Sequence, residues 1–240
     1  MALIYEPTGK AAEYAQRALN IYKGCTHACR YCYGKRRLSP TQKAEYDTNP
    51  NPKEGFISKL RKEAAKLPPD TPEILLSFLG DVYQPAEMEL RLTREAIEIL
   101  IENDLPFTIL TKGGLRAVRD FVLLQQYPKA RFGTTLIFAD QTHADYWEPG
   151  AASIRSRGRA IREADSMCIP TWVSLEPVIS PSHALQLIRE LHPIVDHWKI
   201  GKINYHTGID VDWIAFREEA KALLDSLGAD YYLKKSLTEL

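Results

Sequence analysis

The sequence contains little cysteine: four cysteines among 240 residues are too few for a disulfide framework. It also lacks an excess of charge of either sign, because 31 Lys and Arg residues balance 31 Asp and Glu residues. This balance excludes an overall basic field, so a nucleic-acid partner would need a local patch. No run approaches the roughly 18 apolar residues of a membrane span, and the N-terminus lacks a basic region followed by an apolar run. We therefore expect a cytosolic protein without membrane association.

Three of the four cysteines lie in residues 20–37, which read Asn-Ile-Tyr-Lys-Gly-Cys-Thr-His-Ala-Cys-Arg-Tyr-Cys-Tyr-Gly-Lys-Arg-Arg. Cys25, Cys29 and Cys32 are spaced so that one short loop can present three thiolates to a metal centre. A closed structural zinc site needs a fourth ligand, and only His27 is nearby. Three thiolates leave one corner of a [4Fe-4S] cluster open to a small molecule, and an open iron position indicates an enzyme.

This spacing, with Tyr31 just before the last cysteine, resembles the signature of the radical S-adenosylmethionine superfamily. The wider context Asn-x-Tyr-x-Gly-Cys-x-His-x-Cys-x-Tyr-Cys-Tyr is similar to that of the spore photoproduct lyase-like branch. The resemblance implies a [4Fe-4S] cluster on Cys25, Cys29 and Cys32, with S-adenosylmethionine on the open iron. It also implies an external electron donor of the flavodoxin or ferredoxin type, and a 5′-deoxyadenosyl radical that abstracts hydrogen from a substrate. His27 is then expected behind the thiolate ligands and not among them.

From residue 52 onward, helical and strand patterns alternate, which indicates parallel βα units. Apolar residues at helical spacing predict helices at residues 56–67, 90–103, 115–126, 151–167, 183–191 and 211–227. Short apolar runs predict strands at residues 21–23, 74–79, 107–111, 131–138, 171–175 and 197–200. Six βα repeats predict an α/β fold, a partial (β/α)6 barrel, which is also the fold that the resemblance implies.

We expect a single domain over residues 1–240, because no change of composition marks a boundary. Within it we expect an N-terminal extension at residues 1–19, a barrel core at residues 20–228 and a C-terminal tail at residues 229–240.

Three further segments have weaker signals. Residues 11–18 predict a short helix packed outside the core. Residues 38–51 are polar and contain prolines, so we expect an irregular excursion near the cysteine loop. Residues 231–235 predict an edge segment near the end of the barrel that carries the chemistry.

In barrels of this kind, chemistry lies at the carboxyl ends of the strands. After the second strand, Gly80 allows close backbone approach and Asp81 adds a carboxylate, so this turn can bind an ammonium group. The turn resembles, with departures, the superfamily motif that holds the methionine amino group: the family often has Gly-Gly-Glu, and this chain has Leu-Gly-Asp. An ordinary βα turn is the alternative.

Candidate cofactor ligands follow on the next strands. Lys112 suits a carboxylate as a point charge, and the branch that the loop resembles is expected to place a Thr-Lys element on the methionine carboxylate; a solvated lysine is the alternative. Of Thr134 and Thr135 only one can face the cofactor, because side chains alternate along a strand, and we assign Thr134. The resemblance also implies that Tyr31 stacks against the adenine, with loop packing as the alternative.

Ser174 and Glu176 lie two residues apart on the fifth strand, so both side chains project to one face, which we expect to be the barrel lumen. We assign them as ribose or substrate ligands, with Glu176 also a candidate catalytic residue; a structural ion pair is the alternative. A buried carboxylate is costly unless paired, and Lys199 on the next strand is the expected partner. Lys202 and Asn204 are expected to reach the same end of the barrel.

A further cysteine is missing from the place where the lyase reaction needs one. Spore photoproduct lyase is expected to use an additional cysteine as a hydrogen-atom donor, and none lies between Cys32 and Cys168. We expect Cys168 to be a small buried side chain at the closed end of the barrel. This departure argues against the lyase reaction itself and leaves Tyr33, Tyr46 and Tyr83 as candidate radical relays.

Basic residues cluster beside the loop and in the fourth helix region, at Lys35, Arg36, Arg37, Arg155, Arg157, Arg159 and Arg162. Such runs are more often solvated faces than nucleic-acid sites. By resemblance we expect a modified or damaged pyrimidine in DNA as substrate, hence a role in DNA modification or repair; a small metabolite or a peptide is the alternative. The reaction class stays open among lyase, isomerase and transferase. A glycyl-radical activase and a non-catalytic zinc-binding module also stay open.

Overall fold

A computed structural model of the chain describes residues 2–36, 38–204 and 208–240. Its centre is an eight-stranded sheet with the strands in chain order, where β1 is antiparallel to β2 and every later pair of neighbours is parallel. The strands are β1 (Ile4–Tyr5), β2 (Arg17–Leu19), β3 (Ile74–Leu76), β4 (Phe107–Thr111), β5 (Ala130–Thr135), β6 (Thr171–Val178), β7 (His197–Lys202) and β8 (Tyr231–Leu233). The predicted α/β partial-barrel class is confirmed.

Helices follow the strands on the outside of the sheet. They are α1 (Pro40–Thr48), α2 (Phe56–Ala64), α3 (Glu87–Leu90), α4 (Leu92–Glu102), α5 (Phe121–Gln125), α6 (Gln141–Trp147), α7 (Ile154–Ser166), α8 (Pro181–Leu191), α9 (Trp213–Ser226) and α10 (Lys235–Thr238). Short 3-10 helices cover Gly9–Ala11, Tyr33–Lys35, Gly114–Asp120 and His192–Ile194. Across the described ranges, none of the helices combines the length and apolar character that a membrane crossing requires.

The barrel interior is closed below the strand ends by Trp172. Its indole lies directly against Gly133 of β5, where an added Cβ would come within 2.2 Å of the ring. The indole Nε1 donates a hydrogen bond to Thr108 Oγ1 at 2.8 Å. Phe78 and Leu110 pack on the same small cluster and also line the cavity above it. Trp172 therefore forms the floor on which the candidate site is built.

The start of the barrel differs from the prediction. Strand β2 precedes the cysteine loop by several residues, and residues 21–23 contribute only an isolated antiparallel bridge between Tyr22 and Pro52. The helix predicted at residues 11–18 is wrong, because these residues turn and then enter β2. Local alanine content favours a helix there, but Ala18 and Leu19 are fully buried beside β3, and this tertiary packing overrides the local preference. Residues 1–19, predicted as an extension, thus contribute two strands to the sheet.

The segment predicted as irregular at residues 38–51 contains α1. Ser39 caps this helix in a capping box: the Gln42 amide donates to Ser39 Oγ at 3.3 Å, and the Ser39 amide donates to Gln42 Oε1 at 3.0 Å. Pro40 occupies the first helical turn, where its missing N–H costs nothing. The motif Ser-Pro-x-Gln was therefore a readable start signal. The edge segment expected at residues 231–235 is confirmed as β8.

Candidate functional site

A cavity of about 540 Å³ opens where the carboxyl ends of the parallel strands meet, an end of the barrel called the mouth below. Its wall includes most of the residues assigned from the sequence: Cys25, Cys29, Tyr31, Cys32, Gly80, Asp81, Lys112, Ser174 and Glu176. The cavity wall therefore brings the cysteine loop together with the ends of β3, β4 and β6.

The cysteine loop is a pair of consecutive turns. The Ala28 amide donates to the Cys25 carbonyl at 3.3 Å, and the Cys32 amide donates to the Cys29 carbonyl at 3.1 Å. Ala28 has a φ of +52°, which lets the chain reverse between the first two cysteines. The loop is held to α1, because the Cys25 amide donates to the Tyr46 carbonyl at 2.8 Å. All three thiols consequently face the cavity from one short segment.

Two glycines allow the close packing of this loop. An added Cβ on Gly24 would lie 2.0 Å from the Asn49 carbonyl oxygen, and one on Gly150 would lie 2.1 Å from the Thr26 carbonyl oxygen. The Gly150 amide donates to the His27 carbonyl at 3.0 Å. The loop is therefore clamped between the end of α1 and the segment after α6.

The three thiols differ in protonation tendency. Burial raises the pKa of Cys29 and Cys32. Burial also acts to raise the pKa of Cys25, but its contact with the His27 imidazole outweighs this and the net shift is downward. A metal centre requires thiolates, so loading this loop releases protons.

The spacing of the three thiols bears on which metal centre fits them. Among the described residues, the sulfur atoms of the three cysteines do not form a group in which all lie within 4.8 Å of one another. A single zinc ion holds sulfurs ~3.8 Å apart, given tetrahedral geometry and Zn–S distances of ~2.3 Å. Binding one zinc ion through all three sulfurs would therefore require the cysteine side chains to move closer together.

His27 is almost fully buried and lies between two charged side chains. Its Nδ1 is 3.4 Å from Asp81 Oδ2, and its Nε2 is 3.1 Å from Arg116 Nη2. Both ring nitrogens therefore point at protein groups, and His27 lies in the cavity wall beside Cys25. Its expected position behind the thiolate ligands stays a prediction.

The Asp81 carboxylate is engaged within the protein. Its Oδ1 accepts hydrogen bonds from Thr111 Oγ1 at 2.5 Å and from the Tyr83 amide at 2.8 Å. Its Oδ2 accepts one from the Lys112 amide at 2.7 Å and faces His27 Nδ1. Burial acts to raise the pKa of Asp81, but the charge of His27 and these hydrogen bonds prevail and lower it. The four acceptor positions of a carboxylate thus all face protein groups, which differs from the ammonium-binding role expected from the sequence.

Lys112 presents a positive charge to the cavity. Its Nζ lies 5.6 Å from the centre of the Tyr31 ring and has no hydrogen-bond acceptor among the described residues. Burial acts to lower its pKa, but the nearby Cys29, Glu148 and Asp81 groups raise it, so the ammonium stays charged. A half-buried charge without a partner suits an anionic ligand group.

Tyr31 is oriented by a buried ion pair that the sequence analysis missed. Its hydroxyl donates to Glu148 Oε1, and Glu148 Oε2 lies 2.6 Å from Arg157 Nη1. Arg157 also donates to the carbonyls of Ala152 and Thr135, at 2.9 and 3.0 Å. Arg157 is therefore a buried structural residue and not part of a solvated basic face.

The far side of the cavity carries a second network. Glu176 pairs with Lys234, just after β8, at 2.9 Å, and accepts a hydrogen bond from the Tyr14 hydroxyl at 2.5 Å. Ser174 Oγ lies 2.8 Å from the same hydroxyl. The expected partner, Lys199, instead donates to the Tyr14 carbonyl at 2.5 Å, and burial lowers its pKa to about 8. The assignment of Lys199 to Glu176 was wrong because the last strand brings a closer lysine.

Three other sequence assignments change. Thr134 Oγ1 donates to the Thr111 carbonyl at 2.8 Å, and it is Thr135 that lines the cavity. Tyr83 is buried against Asp120, to which its hydroxyl donates at 3.0 Å, and it is not among the described lining residues. Cys168 is exposed rather than buried.

Of the other residues expected at the mouth, some line the cavity and some do not. Tyr33, Tyr46 and Asn204 line the cavity, and within the described part of the chain Lys199 and Lys202 do not.

A smaller cavity of about 250 Å³ adjoins the first beside Cys32. We call it the basic groove, because its wall includes Arg30, Lys35, Arg36 and Lys43. Arg37 lies outside the described residues. The other basic run behaves as a solvated face, since Arg155, Arg159 and Arg162 are exposed on α7.

Comparison with known proteins yields no matching family model. An uncharacterised protein of Methanocaldococcus jannaschii is 25% identical over 165 residues, which cover 69% of this chain and 61% of the relative. An uncharacterised protein of Mycobacterium tuberculosis is 28% identical over 185 residues, which cover 72% of this chain and 54% of the relative. The chain thus spans a little over half the length of these relatives.

Solved structures are similar over nearly the whole chain. A spore photoproduct lyase variant with bound S-adenosylmethionine and dinucleoside spore photoproduct has a TM-score of 0.71 at 14% identity, covering 95% of this chain and 78% of the lyase. Streptococcus suis SuiB has a TM-score of 0.66 at 12% identity, covering 93% of this chain and 51% of SuiB. The chain has the partial-barrel fold of radical S-adenosylmethionine enzymes. The resemblance seen in the cysteine loop is confirmed at the level of this fold, with spore photoproduct lyase among the similar structures.

The position of Asp81 leads to a stability prediction. In Asp81→Asn, an amide NH2 group replaces one of the two carboxylate oxygens that accept hydrogen bonds in the parent protein. The N–H or O–H groups that donate to that oxygen would then face another donor, and the charge attraction to His27 would be lost. We expect a loss of ~2–4 kcal/mol in the free energy of unfolding, measured by urea denaturation. The control Asp165→Asn changes an exposed carboxylate on α7 and should stay within ~0.5 kcal/mol of the parent protein. Equal stabilities of the two variants would show that the Asp81 network is not structural.

Proposed function

We propose that this chain is a radical S-adenosylmethionine enzyme. The observation that carries the proposal is that three thiols of one loop and an unpartnered ammonium group, that of Lys112, share a single cavity at the mouth of this fold. A non-catalytic zinc module does not call for a cavity of this size with a half-buried cation beside the metal ligands.

The donor set fits a [4Fe-4S] cluster on Cys25, Cys29 and Cys32, because three thiolates leave one iron for a small molecule. When bound, the cluster would supply the electron that cleaves S-adenosylmethionine and yields the 5′-deoxyadenosyl radical, which abstracts hydrogen from substrate. The chain would receive that electron from an external donor of the flavodoxin or ferredoxin type. Since thiolate ligands require a reducing compartment, we place the protein in the cytosol.

The cavity wall offers a position for each part of S-adenosylmethionine. The charged Lys112 would hold the methionine carboxylate, and the peptide groups of the turn at Gly80, which its φ of +71° brings close to the loop, would receive the amino group. Tyr31, fixed by Glu148, would lie against the adenine. On the far wall, Ser174 would meet the ribose or the substrate.

The first prediction under this proposal concerns the cysteines. After anaerobic reconstitution with iron and sulfide, the protein should form 5′-deoxyadenosine from S-adenosylmethionine in the presence of a strong reductant, as measured by chromatography. Cys29→Ser should abolish this product, because two thiolates do not hold the cluster. The matched control is Cys168→Ser, which removes the exposed cysteine and should leave product formation unchanged.

Two outcomes would contradict the proposal. One is full iron and sulfide content without any 5′-deoxyadenosine. The other is stoichiometric zinc on the three cysteines, with no labile sulfide after reconstitution, which would favour the zinc module.

The second prediction concerns Lys112. Lys112→Met keeps the apolar stem and removes the charge, so the methionine carboxylate loses a charge-assisted contact worth ~1.5–3 kcal/mol. The dissociation constant for S-adenosylmethionine should rise ~10- to 100-fold, measured by equilibrium dialysis on the cluster-loaded protein. Lys202→Met, at the end of β7 and outside the described cavity wall, should bind like the parent protein. Unchanged affinity in Lys112→Met would remove the carboxylate from this position.

For the substrate, we propose a modified or damaged pyrimidine in a nucleic acid, DNA in particular. The basic groove supports this, because it adjoins the cavity at Cys32 and its cations suit the phosphates of a strand whose base enters the cavity. A peptide substrate remains the second candidate, since the fold is shared with SuiB, one structure of which contains the precursor peptide SuiA.

The reaction of spore photoproduct lyase itself is not part of the proposal. In the described cavity wall, no cysteine occurs besides the three of the loop. Tyrosines line it instead: besides Tyr31, whose hydroxyl is held by Glu148, these are Tyr14, Tyr33 and Tyr46. We propose these as the candidates for passing a hydrogen atom to a product radical.

The third prediction tests the nucleic-acid assignment. A short single-stranded oligodeoxynucleotide that carries one cross-linked thymine pair should bind, with fluorescence anisotropy as the measurement. In Lys43→Glu the affinity should fall, and the slope of log affinity against log salt should decrease by about 1, as expected for one lost phosphate contact. Lys221→Glu reverses an exposed charge on α9, away from the groove, and serves as the control. Equal effects of the two variants would reject the groove as the phosphate site.

A further inference from the structure

One cluster of metal-binding side-chain types lies outside the cavity, where the segments after β5 and β6 meet. Asp140 precedes α6, His143 lies in the first turn of α6, and His183 lies in the first turn of α8. Asp140 Oδ2 is 2.6 Å from His143 Nδ1 and 3.2 Å from His183 Nε2. One ligand atom from each of the three residues lies within 4.8 Å of the other two.

The two imidazole rings are held in place by Phe138, which is buried. The His143 ring stacks on Phe138 at 5.9 Å between centroids, and the His183 ring meets it edge-on at 6.0 Å. The two imidazoles are 4.9 Å apart and nearly perpendicular, at 87°. Because packing already sets both rings, little side-chain entropy would be lost if they bound a common ion.

A helix cap alone does not explain the cluster. Asp140 caps α6 by accepting a hydrogen bond from the His143 amide at 3.0 Å, and this accounts for two of the three residues. It does not account for His183, which is only 17% exposed and whose Nδ1 is buried without a hydrogen-bond partner in the described structure. A second imidazole beside the carboxylate adds nothing to a cap.

We propose that Asp140, His143 and His183 form a binding site for a divalent transition-metal ion. Two imidazole nitrogens and one carboxylate oxygen are a common donor set for zinc and for ferrous iron. Tetrahedral ligands at ~2.0–2.2 Å from zinc lie ~3.3–3.6 Å apart. The separation of His183 Nε2 from Asp140 Oδ2 is already 3.2 Å, whereas the His143 hydrogen bond at 2.6 Å has to open. The ligand atoms of the two histidines lie within 4.8 Å of each other.

The ion would link α6 to α8 and so stiffen a helix that supports the cysteine loop. At the other end of α6, the Trp147 carbonyl accepts a hydrogen bond from the Arg30 amide at 2.8 Å, and the Tyr146 carbonyl accepts one from Arg30 Nε at 2.5 Å. Arg30 lies between the second and third cysteines. The assigned role is therefore structural, and it does not depend on the radical chemistry proposed above.

The test uses zinc as the probe and removes the competing thiols. In a full-length protein without a polyhistidine tag, Cys25, Cys29 and Cys32 are replaced together by serine, and bound zinc is measured by equilibrium dialysis. We expect one zinc ion per chain, and a rise of ~5 °C or more in Tm at a 100-fold excess over Kd. His143→Ala and His183→Ala should each weaken zinc binding at least ~10-fold and lose the rise in Tm.

The matched control is His197→Ala. His197 also contacts a carboxylate, that of Asp230, at 2.7 Å. In the described structure, however, no third metal-binding side chain lies close to this pair. This variant should bind zinc like its parent. Equal zinc binding in His183→Ala and His197→Ala, or no zinc binding by a parent protein that circular dichroism shows to be folded, would overturn the proposal.

If the triple-serine protein does not fold, the same histidine variants are compared in cluster-loaded protein by zinc-edge X-ray absorption. A site with only nitrogen and oxygen ligands, absent in His183→Ala, is the expected result there. Sulfur ligands to zinc, or an unchanged spectrum in His183→Ala, would reject it.

Discussion

The geometry of the candidate site depends on one buried carboxylate. Asp81 accepts hydrogen bonds from the Thr111 side chain and the Lys112 amide at the end of β4, and it faces His27 in the cysteine loop. The Asp81 amide in turn lies 3.5 Å from the Cys25 sulfur. One residue thereby connects the cysteine loop to the backbone that carries Lys112. A carboxylate that donors surround in this way is worth more as a positioning group than as a ligand, because releasing it to bind an ammonium group would leave those donors buried without acceptors.

The two walls of the cavity differ in their electrostatics, and this difference would orient the proposed cofactor. On the wall of the cysteine loop, the Lys112 ammonium keeps its charge and has no acceptor in the described structure. On the opposite wall, the charge of Glu176 is compensated by Lys234 and by the Tyr14 hydroxyl. A ligand gains most by placing its anionic group at the uncompensated charge and its neutral part at the compensated one. If S-adenosylmethionine binds as proposed, its carboxylate would therefore lie at Lys112, on the wall of the cysteine loop.

The sequence predicts those features of the fold and the site that depend on local patterns of residues. The spacing of the cysteines marks the loop, and the alternation of helical and strand patterns marks the barrel, because both depend on residues close together in the chain. Strand β2 was not predicted, because it is only three residues long and is stabilised by parallel pairing with β3, more than fifty residues away in the chain. The choice between Thr134 and Thr135 was equally out of reach, since β5 is buried on both faces there and its pattern does not alternate.

The partners of buried charges were the least predictable part, and the reason is topological. Glu176 and Lys234 are brought together only because β8 adds to the edge of the sheet after β7, and nothing near either residue encodes that arrangement. Arg157 looked like one member of a basic run, yet its neighbours Arg155 and Arg159 point to solvent while it turns inward to Glu148. A helix that is one-third buried forces such a split, because residues two apart in a helix lie on different faces. The candidate site therefore combines a loop that local sequence defines with walls that only the completed barrel can assemble.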